Sequence, residues 1–426
     1  MPVQPFRRVA ILGGVRTPFT KSFTHYREVS NQDLMTAALE ALVRKFGLHG
    51  HVLGDVALGS VMMHSKDWNL ARECVLGTSL DPRTPAYNVQ RACGTGLETT
   101  NHIALKIAAG QIEVGIAGGS DTNSDLPVVG SRALAAFLLD LRDARNVPER
   151  LKVLAQFRPQ ILLPQFPGVT EPRTGLSMGE HCERMVKEWG ISREAQDQLS
   201  FESHQKGARA YGDGFYSDLV FPFQGLEKDA LLRPDTTMDK LAKLRPAFDK
   251  SAAGTLTAGN STALTDGASA VLLASEDWAA ANKHTPQAWL TDVESAALDF
   301  VHGEGLLMAP TLAVARLLER NNLKLQDFDL YEIHEAFAGQ VLCTLKAWED
   351  DGFCKTKLGL DRALGTVDRS KMNLRGGSVA LGHPFAATGG RIVASLAKQL
   401  AQRGGGRGLI SICTGGGMGI AAIVER

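Results

Sequence analysis

A chain of 426 residues points to two or three domains rather than one. Hydrophobic residues make up 44% and charged residues 22%, as in an ordinary globular protein, and Lys+Arg and Asp+Glu both number 46. The net charge of zero excludes a nucleic-acid-binding class that depends on a basic excess, and no apolar run reaches the ~18 residues of a membrane span.

The opening segment MPVQPFRRVAILGG is too short and too basic for a signal peptide, so the protein is expected in the cytoplasm, with a first strand at Arg8–Gly13. Gln32–Phe46 has helical periodicity, and Ser30 with Asp33 is spaced as a capping box. Asp55–Val61 reads as a strand and Trp68–Leu76 as a short helix. Ala86–Arg91 reads as a strand running into Cys93, followed by a helix over Gly94–Ala109 and a strand over Val114–Gly118. This alternation predicts an α/β fold with buried sheets.

From about 124 to 254 the rhythm breaks. Prolines recur at 148, 159, 164, 167 and 172, and helices are expected only at Gly179–Trp189 and, after Ser192, at Arg193–Tyr211. The stretch reads as a loop domain inserted in an N-terminal half spanning 1–287. A C-terminal half, 288–426, resumes the pattern: strand Trp289–Val293, helix Pro310–Asn321, strand Asp329–Ile333, helix Glu335–Trp348, helix Pro384–Gln402, then strands Gly408–Cys413 and Ile420–Val424. The element order of the halves matches, which predicts an internal duplication with the turns at Cys93 and His383 in equivalent, facing positions.

Six scattered cysteines form no disulfide framework, so a cysteine that matters here matters as a thiol. Cys93 precedes a helix, whose free N–H groups and positive dipole end favour a thiolate nucleophile; a buried structural thiol is the alternative. His383, with Pro384 placed as the first helical residue, is expected near an N-cap, where an imidazole stays neutral as a general base needs; a surface His beside a cap is the other reading. Cys413 leads into a Gly-rich turn whose N–H groups can form an oxyanion hole, although a plain hairpin would look the same. His334 lies between Glu332 and Glu335 in YEIHEAF and suits a hydrogen-bond donor; no spacing supports a metal site, and no dinucleotide or phosphate-loop fingerprint occurs.

In this order the motifs are specific. Cys93, His-Glu-Ala-Phe at 334–337, Gly-His-Pro at 382–384 and Cys-Thr-Gly-Gly-Gly-Met-Gly at 413–419 closely resemble the thiolases, the acyl-CoA:acetyl-CoA C-acyltransferases. VRTPF at 15–19, MGEHCERM at 178–185, ISREAQD at 191–197 and GTLTAGNSTALTDGASA at 254–270 extend the resemblance over nearly the whole chain. The His-Glu-Ala-Phe form is most similar to the thiolase subunit of trifunctional fatty-acid oxidation complexes. Ala386 stands where the family usually has Gly, and Thr95 where it often has Ser.

The resemblance implies a duplicated thiolase fold and cleavage of 3-ketoacyl-CoA by CoA, with no further cofactor. It implies Cys93 as nucleophile, His383 as base, Cys413 as acid, and His334 with His383 around the enolate oxygen. The backbone N–H groups of Cys93 and Gly415 are implied as oxyanion donors, and Thr262 as a residue near the CoA arm. It further implies a homodimer or tetramer. A short-chain acetyl-CoA acetyltransferase is the alternative; a ketoacyl synthase would lack Cys413, and a non-catalytic scaffold would need none of the three. Segment 141–173 has six Lys/Arg against three Asp/Glu with apolar residues between prolines. It is expected to dock a hydratase/dehydrogenase partner subunit or a membrane surface, or else to be a solvated lid.

Overall fold

The computed structural model describes residues 6–168 and 170–426, so Met1–Pro5 of the opening segment and Val169 of the insertion lie outside the described residues. Ten strands are present among the described residues: β1 (Val9–Arg16), β2 (Thr20–Lys21), β3 (Asp55–Leu58), β4 (Ala86–Asn88), β5 (Val114–Asp121), β6 (Thr265–Ser275), β7 (Ala288–Ala297), β8 (Leu330–Ile333), β9 (Arg407–Cys413) and β10 (Met418–Glu425). Their order is β4-β3-β5-β6-β1-β7-β10-β9-β8, with the short β2 beside β6.

The duplication is visible in the pairing. In the first half β3 is parallel to β4 and β5, and β5 and β1 flank β6 antiparallel. In the second half β8 is parallel to β9, and β9 and β7 flank β10 antiparallel. The counterpart of β4 is a single parallel bridge, Tyr331 to Met372. The halves meet edge to edge where β1 pairs antiparallel with β7, Val9 opposite Leu290 and Ile11 opposite Ala288.

Each half sends one helix to the interior: Thr95–Ala108 after β4, and Ala387–Arg403 before β9. Leu97, Ile103 and Ile107 of the first and Ile392, Val393, Leu396 and Leu400 of the second share one core with Ile11, Leu273, Ile410 and Ile420. Helix Asn31–Phe46 covers the other face in the first half, and Ala309–Arg320 with Ala338–Glu349 covers it in the second. The Ser30–Asp33 capping box forms at the start of the first of these. Each fully buried Leu in these cores contributes about 1.5–3 kcal/mol.

The inner helices touch at their N-terminal turns because both are glycine there. A Cβ on Gly389 would lie 2.2 Å from the Leu97 nitrogen, and one on Gly96 would lie 2.6 Å from the Ala386 carbonyl oxygen. This close approach brings the Cys93 and His383 turns face to face.

Several boundaries differ from expectation, two of them beside Cys93 and His383. The strand before Cys93 stops at Asn88, and a turn with Ala92 at φ 44° carries the cysteine instead. The helix after His383 starts at Ala387, not Pro384. The reason is tertiary: His383 bridges to Leu264, its N–H donates to Thr265 Oγ1, and the Ala386 N–H donates to Asp121 Oδ2. Those N–H groups are committed across the halves, and Asp121 supplies a negative charge at the helix start.

The inserted stretch contains more helix than its prolines suggested. Arg132–Asp143 and Val147–Leu154 are both helical and bury none of their residues. Met178–Glu188 and Arg193–Gly212 are packed against the body through Cys182, Met185, Val186 and Leu199. No helix among the described residues is long and apolar enough to cross a membrane.

Candidate active site

Cys93 sits in the turn ahead of helix Thr95–Ala108 and is only 9% exposed. Thr95 builds that turn: its hydroxyl accepts from the Arg91 N–H at 2.8 Å and donates to the Ala92 carbonyl at 2.7 Å. The Thr-for-Ser departure therefore keeps the hydroxyl that matters locally. Ala386, the other departure, is fully buried against Gly119 of β5, whose missing side chain leaves room for it.

The helix terminus does not leave Cys93 ionised. Burial pushes its thiol up to about 12, while the backbone N–H groups of Gly415 and of Cys93 itself act in the opposite direction. Desolvation outweighs the local dipole here, so the thiolate favoured by the helix start forms only as a base takes the proton.

His334 and His383 face each other with ring centroids 4.2 Å apart. Burial, then Arg391, holds His383 down at about 3; burial, then His383 and Arg391, holds His334 well below the usual imidazole range. Both rings are therefore neutral at physiological pH. His383 Nδ1 lies 2.6 Å from Thr388 Oγ1, and His334 Nδ1 lies 2.8 Å from Ser378 Oγ. The Nε2 atoms of both are buried without a hydrogen-bond partner. Two orphaned ring nitrogens in one place call for a ligand.

Cys413 ends β9 and is 1% exposed. Burial, then the adjacent Cys93, raises its thiol well above the usual value, while its own N–H and that of Ala336 oppose this. Gly415 belongs to the turn that follows, in which Gly416 and Gly417 take φ 75° and 69°, values open to glycine. Glu171 of the inserted stretch reaches this turn and accepts from the Gly416 N–H at 2.9 Å. Thr262 donates both its N–H and its hydroxyl to the Ala336 carbonyl, at 3.1 and 3.0 Å, so it fastens the loop after His334. The next helix is delayed to Ala338, after an extended Phe337.

The structure thus brings Cys93, His334, His383 and Cys413 to one buried place, with Gly415 beside the Cys93 sulfur. Sequence reading missed their support: Thr95, Ser378, Thr388, Arg391 and Glu171. Two of them left a local signal, the hydroxyls of Thr95, two residues after Cys93, and Thr388, five residues after His383. Among the described residues no cluster of His, Cys, Asp and Glu could hold a metal ion.

A resting thiol beside a neutral imidazole has a measurable signature. Iodoacetamide alkylation of Cys93, followed by peptide mapping, is expected to accelerate about tenfold per unit from roughly pH 7 to roughly pH 9. A rate already flat at about pH 7 would reveal a preformed thiolate–imidazolium pair and contradict a thiol held protonated by burial.

Family models described as the thiolase N-terminal and C-terminal domains match residues 9–277 and 284–426. The chain is 42% identical over 424 residues to proteins named 3-ketoacyl-CoA thiolase in Yersinia enterocolitica and Yersinia pestis, covering 98% of this chain and 97% of each relative. Human mitochondrial 3-ketoacyl-CoA thiolase, solved in complex with CoA, superposes with a TM-score of 0.81 at 30% identity, covering 98% of both chains. The acetyl-CoA acetyltransferase of Bacillus anthracis also superposes with a TM-score of 0.81, at 29% identity and 99% coverage of both.

Proposed function

The chain belongs to the thiolase family, and from that premise we propose that it is a 3-ketoacyl-CoA thiolase of fatty-acid β-oxidation. The observation that carries the reading is the buried cluster itself: the thiols of Cys93 and Cys413 with the paired imidazoles of His334 and His383, whose Nε2 atoms are free. A ketoacyl synthase has no use for Cys413, and a scaffold has no use for any of the four. The relatives named 3-ketoacyl-CoA thiolase favour this reading over an acetyl-CoA acetyltransferase.

Cys93 attacks the 3-keto carbon as its proton passes to His383 Nε2. The backbone N–H groups of Cys93 and Gly415 hold the oxyanion at that carbon. The C2–C3 bond then breaks and its electron pair becomes the enolate of acetyl-CoA, whose oxygen takes hydrogen bonds from His334 and His383. Cys413 protonates C2, and acetyl-CoA leaves. The His383 proton returns to the Cys413 thiolate, so His383 is neutral again. It takes the thiol proton of CoA, which attacks the acyl-Cys93 thioester; the departing Cys93 thiolate recovers that proton. CoA is thus a co-substrate, and no resident cofactor is required. Thr262 supports the site from beside the expected path of the CoA arm.

The same reading includes a homodimer or tetramer in the cytoplasm. Leu138, Leu151, Leu163 and Phe166 are exposed on the inserted stretch, which supports contact with a hydratase/dehydrogenase partner subunit. The test is CoA-dependent loss of substrate by the purified chain, comparing acetoacetyl-CoA with a long-chain 3-ketoacyl-CoA. Cleavage of the long chain is expected. Cleavage of acetoacetyl-CoA alone would transfer the reading to a short-chain acetyltransferase, and cleavage of neither would contradict the proposal.

A further inference from the structure

We infer that Ser378 and Arg391 hold His334 as the tautomer with its proton on Nε2, so that this imidazole enters the reaction as a hydrogen-bond donor. The consequence for turnover rests on the thiolase reading; the tautomer itself does not.

The argument is one of counting hydrogens. Arg391 is 3% exposed, and its guanidinium can only donate. One of its terminal nitrogens donates to Ser378 Oγ at 2.8 Å. That bond occupies the hydroxyl oxygen as acceptor and leaves its hydrogen to find a partner. His334 Nδ1, 2.8 Å away, is the only other partner Ser378 Oγ has among the described residues. With the hydroxyl donating, Nδ1 must be bare, and the ring proton sits on Nε2, aimed into the site. The reverse arrangement gives Ser378 two incoming donors and leaves its own hydrogen buried without an acceptor, which is the costly case.

A fixed donor at His334 suits the reaction. His383 must begin as an acceptor to take the Cys93 proton, and His334 must be a donor throughout to hold the enolate oxygen. Arg391 also sets the sign of the field here. It faces the buried Glu332, Glu335 and Tyr216, with Arg16 nearby, and its positive charge disfavours protonation of either imidazole. Ser378 and Arg391 are therefore positioning residues that act through His334.

The test is ¹⁵N NMR of the full chain labelled at histidine, because ring nitrogens with and without a proton resonate far apart. His334→Asn and His383→Asn serve only to assign the signals. In the wild type, His334 is expected to show a bare Nδ1 and a protonated Nε2. Ser378→Ala should release His334 into a mixture of tautomers and lower kcat for 3-ketoacyl-CoA cleavage about 10–100-fold, with KM changed less than about threefold, as for a weakened oxyanion donor. Ser378→Thr, which keeps the hydroxyl, should restore both. A wild-type His334 protonated on Nδ1 would overturn the inference, as would a Ser378→Ala protein with unchanged tautomers. The expected tautomer in a protein without thiolase activity would uphold the inference and sink the functional reading instead.

Discussion

Cys93→Ala is expected to lower CoA-dependent cleavage of 3-ketoacyl-CoA by about 10⁴–10⁶-fold, the scale seen when a covalent nucleophile is removed. Nothing else in the site can replace it. Cys413 is the second sulfur, but it sits at the end of β9 and is more deeply buried, with the Ala336 N–H directed at it. The oxyanion donors also belong to Cys93, since the Gly415 N–H faces the Cys93 sulfur. The loss is catalytic and not structural. Thr95, Ala92 and Arg91 hold the turn through backbone and hydroxyl bonds that do not involve the sulfur. A thermal melt of the variant close to wild type is therefore part of the expectation. Residual activity within about tenfold of wild type would remove Cys93 from the mechanism.

Cys413→Ala is expected to separate the two half-reactions. Carbon–carbon cleavage needs an acid for the enolate carbon, and losing a positioned general acid costs about 10²–10⁴-fold. Exchange of an acyl group between acyl-CoA and labelled CoA needs only Cys93, His383 and the oxyanion donors, because no enolate forms. The variant should therefore keep exchange within about tenfold of wild type while thiolysis collapses. The thiol is suited to the role because burial and the adjacent Cys93 keep it protonated. Equal loss of exchange and thiolysis would mean that Cys413 acts on the nucleophile and not on the enolate.

The side chains that cluster in the proposed site stood out in the sequence because they are marked by their neighbours along the chain. Cys93 lies before two glycines, His383 beside Gly382 and Pro384, and Cys413 before three glycines. The matching order of elements also placed the Cys93 and His383 turns in equivalent positions before any contact was known. The supporting groups are written across distances that local patterns do not span. Glu171 reaches Gly416 over 245 positions, and Asp121 caps the helix at Ala386 over 265.

The charge state of Cys93 illustrates the same limit. The helix start argues for a thiolate, but the opposing term, burial under the second half, exists only in the folded chain. The inserted helices failed for a different reason. Ser131 and Asn146 cap them by accepting from Leu134 and Glu149, and Pro148 stands in the first turn, where proline begins a helix and does not break it.

The most direct measurement is the mass of the protein after mixing with a 3-ketoacyl-CoA in the absence of free CoA, quenched in acid and mapped by peptide. The account predicts an acyl group, two carbons shorter than the substrate chain, on the peptide that holds Cys93. It should be discharged by added CoA and absent from Cys93→Ala. No adduct, or an adduct on Cys413 or any other residue, would contradict it.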